Sequence, residues 1–261
     1  MPKFSINLSM LFQEVPFLER FSAAAKAGAK AVEFMFPYEY PAEQLRDILD
    51  QHSLKLVLFN LPAGNWAAGD RGIAIDPKRQ EEFREGVAKA AMYAQVLGVE
   101  QINCLVGKKI LDVPGAFQYR TMIQNLQYAA DILAQAQLKL LIEPLNSRDM
   151  PGFTLTTTQQ VFSAMEDINR PNVFLQYDMY HAQRMEGELI GNFKSHLKKI
   201  AHIQIADNPG RHEPGTGEIN YPAIFTAIDE CGFGGYVGLE YIPKVESNAS
   251  LAWVKQYGYG L

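Results

Sequence analysis

Four polar residues close four successive apolar runs: Glu143 in LLIEPLN, Asp178 in FLQYDMYH, Gln204 in AHIQIAD and Glu240 in VGLEYIP. They are separated by 35, 26 and 36 residues, about one strand–helix unit apiece. Neighbouring strands lie about 4.8 Å apart, so side chains pointing the same way from successive strand ends can converge. Three carboxylates crowded together repel one another and bind protons more tightly than usual unless a cation intervenes. A hard divalent ion, Mg2+ or Mn2+, accepts carboxylate and amide oxygens. The spacing therefore predicts a metal centre with Glu143, Asp178, Gln204 and Glu240 as ligands. A salt bridge or a solvated loop end explains any one of these acids. Four in register inside apolar runs are not so explained, because burying lone carboxylates is costly.

Other residues lie close to these in sequence. His181 follows Asp178 by three positions and shares its face if a helical turn begins there, which directs it at substrate or at an oxygen behind the site. His202 precedes Gln204 by two, and reads either as a core histidine or as an inward partner of Glu143. The loop DNPGRHEPGTGEINY carries Arg211, whose planar fork suits a substrate carboxylate. Its neighbours His212, Glu213 and Glu218 read more simply as solvated loop. Asn7 and Asn60 end strand-like runs and either line the pocket or form turns. Lys108 and Lys109 could meet an anionic group or lie exposed. Phe34, Phe36 and Trp66 wall the pocket or join the core.

Something must hold these residues in register. Strand-like runs are found at Phe4–Ser9, Ala31–Phe36, Lys55–Leu61, Gln101–Val106, Lys139–Leu145, Val173–Asp178, Ile200–Ala206 and Tyr236–Tyr241. Between them apolar residues recur with helical spacing, as in Ile123, Leu126, Ala130 and Leu133. Pro41 and Pro222 suit first helical turns, and Gly28, Gly98 and Gly232 suit helix ends. Eight strands in 261 residues give about 33 residues per unit, the size of a right-handed βαβ step. A doubly wound sheet would want a glycine-rich turn after its first strand, where this chain has NLSMLFQEV. The expected fold is an α/β (β/α)8 barrel, a single domain over residues 1–261, with its active site in the loops that follow the strands.

Composition excludes several classes of function. With 24 Lys and Arg against 29 Asp and Glu, the net charge of −5 argues against nucleic acid or an anionic membrane as partner. No apolar run is long enough to span a bilayer. The opening segment meets Glu14 too early for a secretory signal. The two cysteines, Cys104 and Cys231, read as reduced thiols, so the expected location is the cytoplasm.

The segments FSINLSMLFQEVPFLERF, AVEFMFPY, LLIEPLN, FLQYDMYHAQRMEG, HIQIADNPGRHEPGTGEINYP and GLEYIP together resemble the hydroxypyruvate isomerases of the xylose-isomerase-like TIM-barrel superfamily. The resemblance extends to about residue 243. It implies interconversion of hydroxypyruvate and 2-hydroxy-3-oxopropanoate, with Glu143 and Glu240 as the proton donor and acceptor pair. It further implies a divalent metal at Glu143, Asp178, Gln204 and Glu240, and a small 2-oxo or hydroxy acid held by His181, Arg211 and Asn7. Many related sugar epimerases have histidine where this chain has Gln204, a weaker ligand. The same chemistry would serve a 2-oxo-tetronate isomerase or a ketose 3-epimerase, and the same scaffold a sugar-acid binding protein without catalysis. A homo-oligomer is compatible with such a barrel.

Overall fold

The computed structural model describes residues 1–261. Eight parallel strands close in sequence order: β1 (Lys3–Asn7), β2 (Ala31–Glu33), β3 (Lys55–Asn60), β4 (Gln101–Cys104), β5 (Lys139–Ile142), β6 (Val173–Asp178), β7 (Ile200–Ile205) and β8 (Tyr236–Leu239). Closure comes from β1 pairing with β8, with Lys3 opposite Tyr236 and Ile6 opposite Leu239. The crossovers carry α1 (Phe17–Lys26), α2 (Ala42–Gln51), α3 (Gln80–Leu97), α4 (Gly115–Gln135), α5 (Thr158–Ile168), α6 (Met179–Met185), α7 (Leu189–His196) and α8 (Tyr221–Glu230). Two short helices, α9 (Ser247–Ser250) and α10 (Ala252–Gln256), follow β8. The expected (β/α)8 barrel is the observed one.

Local chemistry explains several boundaries. Thr157 and Gln160 form a reciprocal capping box at the start of α5. Gly98 ends α3 in the left-handed region at φ 69°, which a glycine adopts without strain. Pro222 lies in the first turn of α8, as expected, whereas Pro41 sits one position earlier, as the N-cap of α2. Most strands stop one to three residues before the apolar runs suggest. Glu143 and Glu240 thus stand just past β5 and β8, where the chains leave the ladder for the loops. Main-chain bonding persists to that point: the Glu240 N–H donates to the Ile205 carbonyl at 3.2 Å.

Alternation along the strands divides the interior from the helical shell. Phe4 faces outward and meets Phe225, Trp253 and Tyr259 edge-on. Ala31, Val57, Leu58 and Leu141 form a separate small apolar cluster inside the barrel, with Phe174, Ala201 and Tyr236 against it. Leu141 precedes Glu143 by two residues and Ala31 precedes Glu33 by two, so this apolar plug lies one layer beneath a polar one.

Candidate active site

The polar layer gathers at the carboxyl ends of the strands. Asp178 is its best-defined member. It is both the last residue of β6 and the N-cap of α6, and its Oδ1 accepts from the Tyr180 and His181 main-chain N–H groups at 2.8 and 3.4 Å. That leaves Oδ2 buried without a hydrogen-bond partner. The nearest donors to it are His181 Nε2 at 3.5 Å and Arg211 Nη2 at 3.6 Å. Glu143, Asp178 and His181 bring ligand-type atoms within 4.8 Å of one another, all three buried.

Glu240 enters from β8. Its Oε1 accepts from Asn7 Nδ2 at 3.0 Å and Gln204 Nε2 at 3.2 Å, and its Oε2 accepts from Arg211 Nη2 at 2.6 Å. Burial, reinforced by Asp178 and Glu33, outweighs Arg211 and pushes the Glu240 carboxyl up to about 8. Burial and the charges of Glu240 and Asp178 also raise Glu143 well above the usual carboxylate range, against Arg211 and the amide of Asn103. Asp178 is raised too, by burial first, against the pull of Arg211 and its two main-chain donors. The Arg211 guanidinium is thus the cation that this ring of acids faces. It also lies over the Tyr180 ring, 5.2 Å from its centroid.

His181 has a defined tautomer. Its Nδ1 accepts from the Asn146 main-chain N–H at 3.2 Å, and a main-chain N–H can only donate. In the neutral ring the proton therefore sits on Nε2, the nitrogen facing Asp178 and the site. Burial, then Arg211 and Arg184, hold its pKa well below 6.5, so the ring is neutral at physiological pH. His181 in this arrangement is a hydrogen-bond donor to the site.

The structure brings together Glu143, Asp178, Gln204, Glu240, His181, Arg211 and Asn7. Two of these face the site differently from the sequence expectation. Gln204 turns its nitrogen toward Glu240 and Glu33, and its Oε1 accepts from Gln176 at 2.5 Å. Asn7 has both amide hydrogens engaged, by Glu33 and Glu240, while its Oδ1 accepts from Ser9 N–H. His202 pairs with Glu33 at 2.8 Å, not with Glu143. Phe34 joins the core; Phe36 and Trp66 pack together at 5.1 Å along a groove beside the mouth. Asn60 meets Asn103. Lys108 is held in a short bridge to Phe153, and Lys109 is exposed. His212 binds the Ile242 carbonyl, Glu213 the Lys244 N–H and Glu218 the Asn208 amide, so all three fasten loops.

Several residues of the site carry no signal at local spacing. Asn103 on β4 donates to Glu143 at 3.0 Å. Asp207 accepts main-chain N–H groups from Asn208, Gly215, Gly217 and Ile219 and so shapes the loop that carries Arg211. A Cβ at Gly217 would collide with the Asn208 carbonyl and Asp207, so that loop closes only around a glycine. Glu33 on β2 is fully buried and accepts from Ser5, Asn7, His202 and Gln204. Burial raises its pKa, but His202, Gln204 and Ser5 outweigh that and leave it below 4.5, an ionised carboxylate.

The donor set fits a hard divalent ion. Asp178 offers a free buried oxygen beside Glu143 and His181, whereas both oxygens of Glu240 are engaged by Asn7, Gln204 and Arg211. Gln204 directs its amide nitrogen to Glu33 and Glu240, and His181 directs a hydrogen, not a lone pair, toward Asp178.

Comparison with known proteins gives a consistent picture. Residues 21–257 match the family model for the xylose isomerase-like TIM barrel. The chain is 51% identical to hydroxypyruvate isomerase of Escherichia coli over 257 residues, covering 98% of this chain and 100% of that protein. It is 42% identical to 2-oxo-tetronate isomerase of Cupriavidus necator, covering 98% and 99%. A crystal structure described as AP endonuclease, family 2, from Brucella melitensis superposes with a TM-score of 0.95 at 43% identity, covering 98% and 99%.

Proposed function

Because the chain belongs to the xylose isomerase-like TIM-barrel family, we propose that it interconverts hydroxypyruvate and 2-hydroxy-3-oxopropanoate. It is an isomerase, and the reaction is an aldose–ketose exchange on a three-carbon acid. The observation that carries this reading is the pair of buried strand-end glutamates, Glu143 and Glu240, both holding protons far more tightly than an ordinary carboxylate. A group that must take a proton from carbon and return it works best with its pKa near the operating pH.

In the forward direction one glutamate removes a proton from C3 of hydroxypyruvate, next to the C2 carbonyl. The electron pair forms the C2=C3 bond of an enediolate. The other glutamate returns a proton to C2, and the C3 hydroxyl proton passes to the C2 oxygen, so that C3 becomes the aldehyde and C2 carries the hydroxyl. The neutral His181, with its hydrogen on Nε2, donates to the substrate oxygen that gains charge. Arg211, already at the mouth between Glu240 and Asp178, holds the substrate carboxylate. A divalent ion, Mg2+ or Mn2+, held by Glu143, Asp178 and Glu240 would polarise the carbonyl and acidify the adjacent C–H bond.

Carbon-by-carbon product analysis with hydroxypyruvate, with and without a chelator and with Mg2+ or Mn2+ restored, tests the reading. Conversion that falls on chelation and returns with metal supports it; no conversion under any condition overturns it. Glu240→Gln is expected to abolish turnover with the fold intact, and retention of more than about a tenth of activity refutes its role, since acid–base groups contribute about 10²- to 10⁴-fold. A four-carbon 2-oxo acid is the second reading, supported by the 42% identity to the Cupriavidus enzyme. A substrate panel with both acids separates the two. The protein acts on a soluble metabolite, and no helix is long and apolar enough to cross a membrane.

A further inference from the structure

We propose that Glu33 is the positioning residue of the site, a fully buried carboxylate one layer below the mouth that sets the orientation of Glu240 through two shared amides. The inference rests on the reading of Glu240 as a proton-transfer group. Asn7 Nδ2 donates to Glu33 Oε1 at 3.2 Å and to Glu240 Oε1 at 3.0 Å. Gln204 Nε2 donates to the same two oxygens, at 2.7 and 3.2 Å. Two amide nitrogens, from β1 and β7, therefore bridge the same pair of carboxylate oxygens, one on β2 and one on β8.

A carboxylate accepts only. Facing Glu33, both amides must turn nitrogen inward, and their second hydrogens are then aimed at Glu240 Oε1. That oxygen is anchored from below, which leaves Oε2 as the atom that faces Arg211 and the substrate. Glu33 is itself locked from its other side: Ser5 Oγ donates to its Oε2 at 2.7 Å, and His202 Nε2 lies 2.8 Å from the same oxygen. Every lone-pair direction of this buried group meets a donor on β1 or β7.

An independent feature of the chain agrees. Gly238 on β8 lies two residues before Glu240 on the same inward face. A Cβ built there would collide with both Glu33 carboxylate oxygens. The Gly238 backbone is outside the left-handed region, so conformation does not require a glycine at this position. The missing side chain is the space Glu33 occupies.

Two substitutions disturb Glu33 by different routes. Glu33→Gln is isosteric and retains the fold, but its amide can present either oxygen or nitrogen to Asn7 and Gln204, so their orientation is no longer enforced. Gly238→Ala keeps the glutamate and displaces its carboxylate. Neither touches Arg211 or His181, which hold the substrate. The measurement is steady-state kinetics with hydroxypyruvate on wild type, both single variants, their double variant and Glu240→Gln, with folding checked by thermal denaturation. The expected result is a fall in kcat of about 10- to 100-fold in each single variant, the usual effect of removing such an outer support. KM should stay within about threefold, and the double variant should be no worse than the poorer single, because both act through one carboxylate. Folded single variants with kcat within about twofold of wild type, a rise in KM with kcat held, or losses that multiply in the double variant would overturn the inference alone. An inactive wild type, or a fully active Glu240→Gln, would overturn the functional reading and this inference together.

Discussion

At the scale of single residues the site is a contest between burial and a small number of compensating charges. Glu240 carries a testable consequence. Its carboxyl titrates at about 8 in the folded protein and near 4.5 when unfolded. Between those values the folded state binds the extra proton, so this residue's contribution to stability is complete below about pH 4.5 and is lost as pH rises toward 8. In metal-free protein the Tm of wild type relative to Glu240→Gln should therefore decline steadily from pH 5 to pH 8. A difference independent of pH would contradict the raised carboxyl. Added Mn2+ should recover stability most at the alkaline end, where the carboxylate is ionised.

The residues found from sequence were those whose signal is local: an acid or amide closing an apolar run, repeated once per unit. Glu33 sits in the same kind of run, AVEFMF, yet everything that defines it is remote. Its partners Ser5, Asn7, His202 and Gln204 lie 26 to 171 positions away. The clue available in the sequence was the glycine two residues before Glu240, and it becomes meaningful only when β2 and β8 are both known to face the barrel axis. The orientations of Gln204 and Asn7 were illegible for the same reason, because an amide turns according to what lies on both sides of it.

At the scale of elements, the junction of β6 and α6 does two jobs with one side chain. Asp178 caps the helix with one oxygen and offers the other to the site. Asp178→Asn keeps the cap and removes the charge, whereas Asp178→Ala removes both. The alanine variant should be less stable than the asparagine variant by about 1 kcal/mol in urea denaturation, the usual worth of such a cap. Both should lose the thermal stabilisation that Mn2+ gives wild type. Equal stability of the two variants would show that the cap adds nothing. Strand positions were legible from the apolar runs because a parallel strand buried on both faces is apolar throughout. Most of their carboxyl ends, though not that of β6, were read one to three residues too long, since Phe34, Leu105 and Leu145 stay buried after the ladder has ended.

At the scale of the whole molecule, packing and chemistry occupy opposite faces of the same strands. His202 and Gln204 point inward, so Ile203 between them points outward into the main core, where it is fully buried. Ile203→Ala should cost about 2–5 kcal/mol in chemical denaturation, the range for removing this much buried side chain. Turnover per folded molecule should be unchanged, and a large loss of kcat in the folded fraction would mean that shell and site are not separable. The barrel itself was legible from eight evenly spaced runs and the lack of a glycine-rich first turn. The short helices α9 and α10 were not, having no strand to announce them.

The pairing of the first strand with the eighth has a consequence for how the protein comes into being. Asn7 is among the earliest residues made on the ribosome and Glu240 among the latest, yet the two share a hydrogen bond. A nascent chain carrying seven strands has most of the donors and acids in hand and no reaction centre. Chemical competence arrives in one step, when the eighth strand emerges and the ring shuts.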